Sequence, residues 1–282
     1  MSTSRIDAHQ HFWRYSAENY AWITPDLEVL RRDFLPADLE PLLRERRLQA
    51  CVAIQARQDF QETCWLLELT ESAPWIAGVV GWVDLQSPQV DEQLAELAVH
   101  PRLVGIRHVV QDEPDDRFLD DVDFRRGVGK LREFGLNYDL LIYPRQLPAA
   151  IDFVRAFPDQ PMVLDHLAKP EARAALFEPW ASQLAELSRA ENLLVKLSGL
   201  ITEAEWEKWT PEGLRRYLDH ALETFGPHRV MFGSDWPVCL LAGSYDQVFE
   251  LIDDFAAALS TDEREALFGG NAARFYGLSS DS

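Results

Sequence analysis

The stretch R-I-D-A-H-Q-H-F-W, residues 5–13, decides how the rest of the chain reads. Successive side chains of a strand point to opposite faces, so Asp7, His9 and His11 are expected on one face and Ile6, Ala8 and Gln10 on the other. Two imidazoles then converge on one small volume. In a closed parallel barrel that volume is the floor of a site, and every later strand can be asked what its own end adds to it. A single histidine usually fills an ordinary structural place, whereas an H-x-H pair ending a leading strand points to metal or acid–base chemistry.

Seven further apolar runs follow. Residues 50–55 (A-C-V-A-I-Q), 76–85, 103–110 (L-V-G-I-R-H-V-V), 137–143 (N-Y-D-L-L-I-Y), 161–166 (P-M-V-L-D-H), 192–199 (N-L-L-V-K-L-S-G) and 229–235 (R-V-M-F-G-S-D) read as strands. The 76–85 run is almost continuously apolar, as a parallel strand covered on both faces requires. Between the runs lie helical patterns. The first begins at Pro36 and ends in Arg44, Arg46 and Arg47, a favourable start and a favourable end charge. Others are expected over 60–72, 89–99, 123–134, 147–157, 173–191, 212–225 and 245–259, with a short extra helix at 203–209. Two closing helices, 262–268 and 272–276, are separated by Gly269 and Gly270. Residues 14–34 are rich in aromatics without a sustained period and read as a long loop over the barrel mouth.

Eight strands alternating with helices predict an α/β fold, a single (β/α)8 TIM-like barrel over residues 1–282 with extra C-terminal helices. Neither a G-x-G-x-x-G after the first strand nor a P-loop is present, which removes the support for a nucleotide-binding open sheet. Hydrophobic residues make up 47% of the chain, enough for a real core. The 47 acidic against 27 basic residues give a net charge of -20, which repels nucleic acid and anionic membrane surfaces. Cys51, Cys64 and Cys239 are too few and too scattered for a disulfide framework or a zinc finger, so a reducing compartment is expected. No signal-peptide pattern and no apolar run of about 20 residues occurs. A soluble cytoplasmic enzyme with a small-molecule substrate fits these limits, with no nucleic-acid or membrane partner.

Barrel active sites are built at the C-terminal ends of the strands. There the chain places His9, His11, Arg107, His108, Tyr143, His166, Ser198 and Asp235, four of its seven histidines among them. His100, His220 and His228 fall in helix ends or loops and carry ordinary roles. Asp235 follows the apolar run V-M-F and precedes Trp236-Pro237, an arrangement suited to holding one carboxylate rigidly as a general base, although a turn or helix cap would use an aspartate too. His9, His11, His166 and Asp235 also form a donor set for one divalent metal, zinc or manganese. A second carboxylate or a lysine bridge for a two-metal site is not evident. Arg107 and His108 are neighbours and point to opposite sides of the wall; His108 is preferred as the inward one, with Arg107 at the mouth or paired with an acid behind it. Lys196 contacts a substrate oxygen or sits in a buried ion pair. Trp13, Trp82, Tyr143 and Trp236 are candidate walls for a small ring.

The pieces D-A-H-Q-H-F-W (7–13), G-I-R-H (105–108), L-D-H-L-A-K-P (164–170), K-L-S-G (196–199), F-G-S-D-W-P (232–237) and G-N-A-A-R-F-Y (270–276) span nearly the whole chain in order. In them the chain resembles the amidohydrolase superfamily, and closely its branch of sugar-lactone hydrolases. The resemblance places the reaction centre on His9, His11, His166 and Asp235. It implies hydrolysis of a sugar lactone, of the fucose or rhamnose type, to its aldonic acid. Asp235 then activates water while the three histidines polarise the carbonyl or hold a metal that does so. Several lactonases of this branch work without a metal, whereas related decarboxylases and other relatives use one divalent ion, so the resemblance is compatible with either. On the same barrel stand two competing reactions, metal-dependent decarboxylation and hydrolysis of an aromatic-derived lactone of the pyrone dicarboxylate type. A dianionic substrate calls for several inward cations, and beyond Arg107, Arg145, Lys169 and Lys196 the candidates are few. A binding barrel without catalysis would be expected to have lost the polar strand ends.

Overall fold

The computed structural model describes residues 4–278. Strands β1 (Ile6–Gln10), β2 (Ala50–Ile54), β3 (Ile76–Gly81), β4 (Leu103–His108), β5 (Asn137–Leu140), β6 (Met162–Leu164), β7 (Leu193–Leu197) and β8 (Val230–Phe232) are all parallel and adjacent in chain order. The ring closes between its first and last members. Asp235 N–H donates to the His9 carbonyl at 2.8 Å and His11 N–H to the Trp236 carbonyl at 2.7 Å, beside a bridge between Gln10 and Trp236. The closing bonds thus involve the same residues that carry the imidazole and carboxylate side chains. The fold is a (β/α)8 barrel with extra C-terminal helices.

Helices α1 (Pro36–Glu45), α2 (Phe60–Ser72), α3 (Val90–Leu97), α4 (Val122–Lys130), α5 (Leu147–Ala156), α6 (Trp180–Leu187), α7 (Pro211–Phe225) and α8 (Tyr245–Phe255) follow the strands in turn. Their buried residues, among them Leu66, Leu94, Phe124, Phe153, Leu184, Leu218 and Ile252, make one continuous core with the outward strand residues. A second, smaller cluster fills the barrel interior with Ile6, Ala8, Val52, Ile54, Val80, Val163 and Met231. The short α9 (Thr261–Glu265) and α10 (Asn271–Tyr276) close the chain, and α10 adds Ala272 and Tyr276 to the interior cluster. Near-continuous burial on both faces is why these strands lack polar alternation.

The strands are shorter than the apolar runs because pairing stops where the chain turns into the loops at the barrel mouth. The 173–191 segment is not one helix: a 3-10 turn over Ala172–Ala174 precedes α6, and Pro179, lacking an N–H, caps the start of α6. Residues 203–209 form turns instead of a helix, tied by Trp206 and Trp209 indole N–H groups donating to the Thr202 and Ala242 carbonyls. The long first loop is pinned at its base by the antiparallel Trp13–Phe34 bridge and contains one 3-10 turn, Glu28–Leu30. Among the described residues no helix is long and apolar enough to cross a membrane.

Candidate active site

The β1–β2 register shifts between Asp7 and Gln10, and this bulge changes the expected facing of the first strand. Asp7 does not share a face with the histidines. Its carboxylate accepts from the Ser234 N–H at 2.9 Å and from the Tyr245 hydroxyl of α8 at 3.1 Å, and burial pushes its pKa up to about 6. Past the bulge His9 and His11 both enter the barrel, with their Nε2 atoms 3.3 Å apart. Gln10, between them, donates outward to Cys51 Sγ. His11 Nδ1 lies 2.9 Å from the Ile54 carbonyl oxygen, which only accepts, so this nitrogen carries a proton and the neutral form of the ring has its lone pair on Nε2.

β6 delivers two adjacent side chains to the same place. A strand cannot do that, but residues His166 to Lys169 all have left-handed backbones, φ 51–57°, so that Asp165 and His166 both enter the interior. Gly199, after β7, makes room: a Cβ there would stand 2.5 Å from His166 Nδ1. Ser198 Oγ lies 2.8 Å from that nitrogen. Asp235, also left-handed at φ 56°, places Oδ1 3.4 Å from His11 Nε2, 3.8 Å from His9 Nε2 and 3.8 Å from His166 Nε2. Burial favours a neutral Asp235, but His166, His11 and His9 outweigh it and hold the carboxylate well below its usual range. Burial also lowers His9, despite Asp165, and brings His166 to about 4, despite Asp235, so both rings are neutral at pH 7.

Beneath the rings lies a charge-balanced network. Lys196 Nζ is 2.5 Å from Asp139 Oδ2, 3.0 Å from Asp165 Oδ1 and 3.2 Å from His9 Nδ1. Arg107 Nη1 is 3.0 Å from Asp165 Oδ2, and its Nη2 donates to the Gln55 carbonyl. Tyr276 of α10 donates its hydroxyl to Asp139 Oδ2 at 2.8 Å. Two cations and two carboxylates thus neutralise one another, as burial demands. Burial pushes Asp139 up to about 6 even beside Lys196; Asp165, facing Lys196, His9 and Arg107 together, is held well below its usual range against the pull of burial.

A cavity of about 480 Å³ opens above this floor, lined by His11, Arg107, His166 and Asp235 below and by Tyr143, Lys169, Arg57 and Gln111 around them. Asn19, Ala21 and Trp22 of the first loop line it too, which places that loop at the mouth. The structure therefore gathers His9, His11, His166 and Asp235, with Arg107 and Tyr143 exposed to the same space. It reverses the order of Arg107 and His108. His108 turns away to the helix layer, 2.7 Å from Glu113 Oε1 and stacked on Phe118. Trp82 sits with it, its indole N–H directed at His108 Nδ1. Trp13 is fully buried between Phe34, Tyr20 and Trp22, and Trp236 packs between Phe12 and Phe34, so neither is a cavity wall. Lys196 is sealed below His9 in the ion network and does not line the cavity. Asp139, Asp165 and Tyr276, which complete the floor, were not among the expected site residues; an acid amid the apolar run N-Y-D-L-L and a lysine amid L-V-K-L were the available signal.

His9, His11 and Asp235 fit a divalent cation by their donor chemistry and spacing, and His166 stands beside them with Nε2 3.8 Å from Asp235 Oδ1. A tetrahedral ion with bonds of about 2.0–2.1 Å spreads its ligands roughly 3.3–3.4 Å apart. The His9–His11 and His11–Asp235 separations, 3.3 and 3.4 Å, match that spread.

Comparison with known proteins follows the same lines. A family model described as Amidohydrolase matches residues 6–278. An L-fucono-1,5-lactonase of Burkholderia multivorans is 46% identical over 289 residues, covering 99% of this chain and 97% of that one. An L-fucono-1,5-lactonase of Burkholderia ambifaria is 38% identical over 283 residues, covering 97% and 96%. A crystal structure of a Burkholderia multivorans amidohydrolase with bound zinc has a TM-score of 0.94 at 46% identity, covering 98% of this chain and 100% of that one. With the family model running from the first strand to the residues just beyond α10, and with whole-length relatives of this similarity, the chain belongs to the amidohydrolase family.

Proposed function

We propose that this chain hydrolyses a sugar lactone of the L-fucono-1,5-lactone type to its aldonic acid. The reading is carried by one observation: the imidazoles of His11 and His166 and the ionised Asp235 line the floor of a cavity, with His9 buried against them, and the cations of that cavity are already neutralised. Arg107 faces Asp165, Lys169 lies 3.6 Å from Glu203, and Arg57 lies 2.8 Å from Asp59. A dianionic aromatic lactone needs unpaired cations. A neutral polyhydroxylated ring needs polar groups that both donate and accept, and Asn19, Gln58 and Gln111 line the cavity to supply them. The names of the relatives at 46% and 38% identity point to the same substrate.

In the proposed reaction a water oxygen adds to the lactone carbonyl carbon while its proton passes to Asp235. Collapse of the tetrahedral adduct breaks the bond from that carbon to the ring oxygen, which takes the proton back from Asp235. Arg107, at the floor, stabilises the negative charge that develops on the carbonyl oxygen. His166, neutral and held by Ser198, keeps its Nε2 turned toward the Asp235 oxygen, 3.8 Å away. His9, His11, His166 and Asp235 would hold a divalent ion of the zinc or manganese class, which supplies Lewis-acid polarisation and a more acidic water.

The test is a pH-indicator assay of L-fucono-1,5-lactone, other aldonolactones and a dianionic aromatic lactone, with metal-stripped and zinc-supplemented protein side by side. Turnover of the sugar lactone and not of the dianion is expected. Absence of sugar-lactone turnover in both preparations overturns the reading.

A further inference from the structure

We infer that Lys196 decides which nitrogen of His9 carries the proton, and in that way sets how tightly the site holds a divalent cation. The inference rests on the four-ligand reading given above. Two groups compete for His9 Nδ1: Lys196 Nζ at 3.2 Å and Asp165 Oδ1 at 3.3 Å. An ammonium only donates and a carboxylate only accepts, so the two demand opposite protonation of the same nitrogen. Of the two contacts only that from Lys196 has hydrogen-bond geometry. Asp165 Oδ1 is buried and accepts no hydrogen bond of acceptable angle, although Lys196 and His9 both stand beside it.

With Lys196 donating to Nδ1, the proton of the neutral ring sits on Nε2. There it meets the lone pair of His11 Nε2 at 3.3 Å, because the neutral His11 ring keeps its proton on Nδ1 for the Ile54 carbonyl; Arg107 Nη1, 3.4 Å from the same His9 Nε2, only donates and so favours the other tautomer, as Asp165 does. A continuous chain of donors results, from Lys196 through His9 and His11 to a backbone oxygen. In this tautomer His9 has no lone pair for a cation. The other tautomer removes the proton from Nε2 and places one on Nδ1, directed at Asp165 Oδ1. The ring stays neutral and Lys196 keeps its three protons, so no net charge is gained or lost. His9 then offers Nε2 as a ligand at the expense of its bond from Lys196. Lys196 thus opposes the cation and Asp165 supports it. Asp139, held by the Tyr276 hydroxyl of α10, fixes Lys196 in its opposing position. Lys196 and Asp165 are positioning residues that act through His9.

Zinc affinity of the full chain, measured by competition with a chromogenic chelator, separates these roles. Lys196→Met is expected to bind zinc more tightly, and Asp165→Asn more weakly by about 10- to 100-fold, the range typical of groups that orient metal ligands. If Lys196→Met does not fold with Asp139 left unpaired, the double variant Lys196→Met/Asp139→Asn removes one charge of each sign and is expected to show the same tightening. Nitrogen-15 NMR of histidine-labelled wild type reads the tautomer directly, with the His9 signal identified by its loss in His9→Asn. Protonated Nε2 in chelator-treated protein and protonated Nδ1 after zinc addition support the inference. Protonated Nδ1 in both, or no tightening in the lysine variants, overturns it. Wild type that takes up no zinc overturns it as well, whatever its lactone turnover. Zinc uptake with the expected variant order but no turnover leaves it standing and removes the lactonase reading.

Discussion

Ser198→Ala tests whether His166 works through its held orientation. Ser198 Oγ and His166 Nδ1 are 2.8 Å apart, both residues are buried, and the serine does not line the cavity. Removing the hydroxyl leaves Nδ1 facing a methyl group. A buried polar atom that loses its partner costs about 1–3 kcal/mol. In a domain of this size that lowers Tm by roughly 2–6 °C. The ring recovers part of that energy by turning toward another partner, and turning carries Nε2 away from Asp235. If the full cost falls on the reacting geometry, kcat drops roughly 5- to 150-fold, at a factor of ten per about 1.4 kcal/mol. KM should move little, since no cavity-lining group has been altered. Initial rates of L-fucono-1,5-lactone hydrolysis over a substrate series, with calorimetry on the same samples, give all three quantities. A kcat within twofold of wild type beside a lowered Tm would mean that His166 is only packed into the site, and the proposed role of its orientation would have to be abandoned.

Gly199→Ala attacks the same ring from the other side: a Cβ 2.5 Å from His166 Nδ1 on a φ of +63° should cost about 1–2 kcal/mol in backbone alone and lower kcat by roughly 10²-fold, and an active variant would show that the ring tolerates displacement. His108→Gln keeps a donor for Glu113 outside the cavity and is expected to leave kcat and KM within about threefold in the lactone assay, whereas a loss of ten times or more would return His108 to the site. Trp22→Ala should raise KM several-fold with kcat nearly intact, because Trp22 lines only the mouth; an unchanged KM would place the first loop outside substrate contact. Glu62 supplies a pH test away from the reaction centre: burial lifts its pKa to about 7, despite backbone N–H donors from Ala56 and Arg57. A folded-state value above the unfolded one means the native state binds the extra proton, so this contribution to stability is present below about pH 4.5 and is lost as pH rises through about 7. Its span is on the order of 3 kcal/mol. The Tm of Glu62→Gln should therefore gain on wild type between pH 5 and 8, and a constant difference across that range counts against the shift.

Period-two reasoning located His9 and His11 as neighbours but misplaced Asp7, because a bulge leaves no compositional mark and reverses every facing before it. The same reasoning showed that Arg107 and His108 face opposite ways. Which of them faces inward depends on the strand's register against the barrel axis, and nothing in G-I-R-H states it. Asp165 was hidden for a different reason: alternation forbids two adjacent residues from sharing a face, and only the left-handed backbone at His166 permits it. That turn uses no glycine, so its sequence L-D-H-L-A-K-P carries none of the usual signs of positive φ. The strand count and the strand-end histidines were legible because burial on both faces writes long apolar runs, in which each polar residue stands out.

The two backbone bonds that join the last strand end to the first are made by His9, His11, Asp235 and Trp236, so three residues of the proposed reaction centre also close the ring. The opposite end of the barrel bears on the same atoms, since Tyr276 reaches His9 through Asp139 and Lys196 with no link longer than 3.2 Å. Tyr276→Phe removes one hydroxyl far from the cavity and leaves Asp139, already lifted by burial, with Lys196 as its remaining partner. A change in zinc affinity in that variant, at unchanged Tm, would be a signal that packing alone does not transmit. A change in Tm alone would confine Tyr276 to holding α10 against the barrel floor.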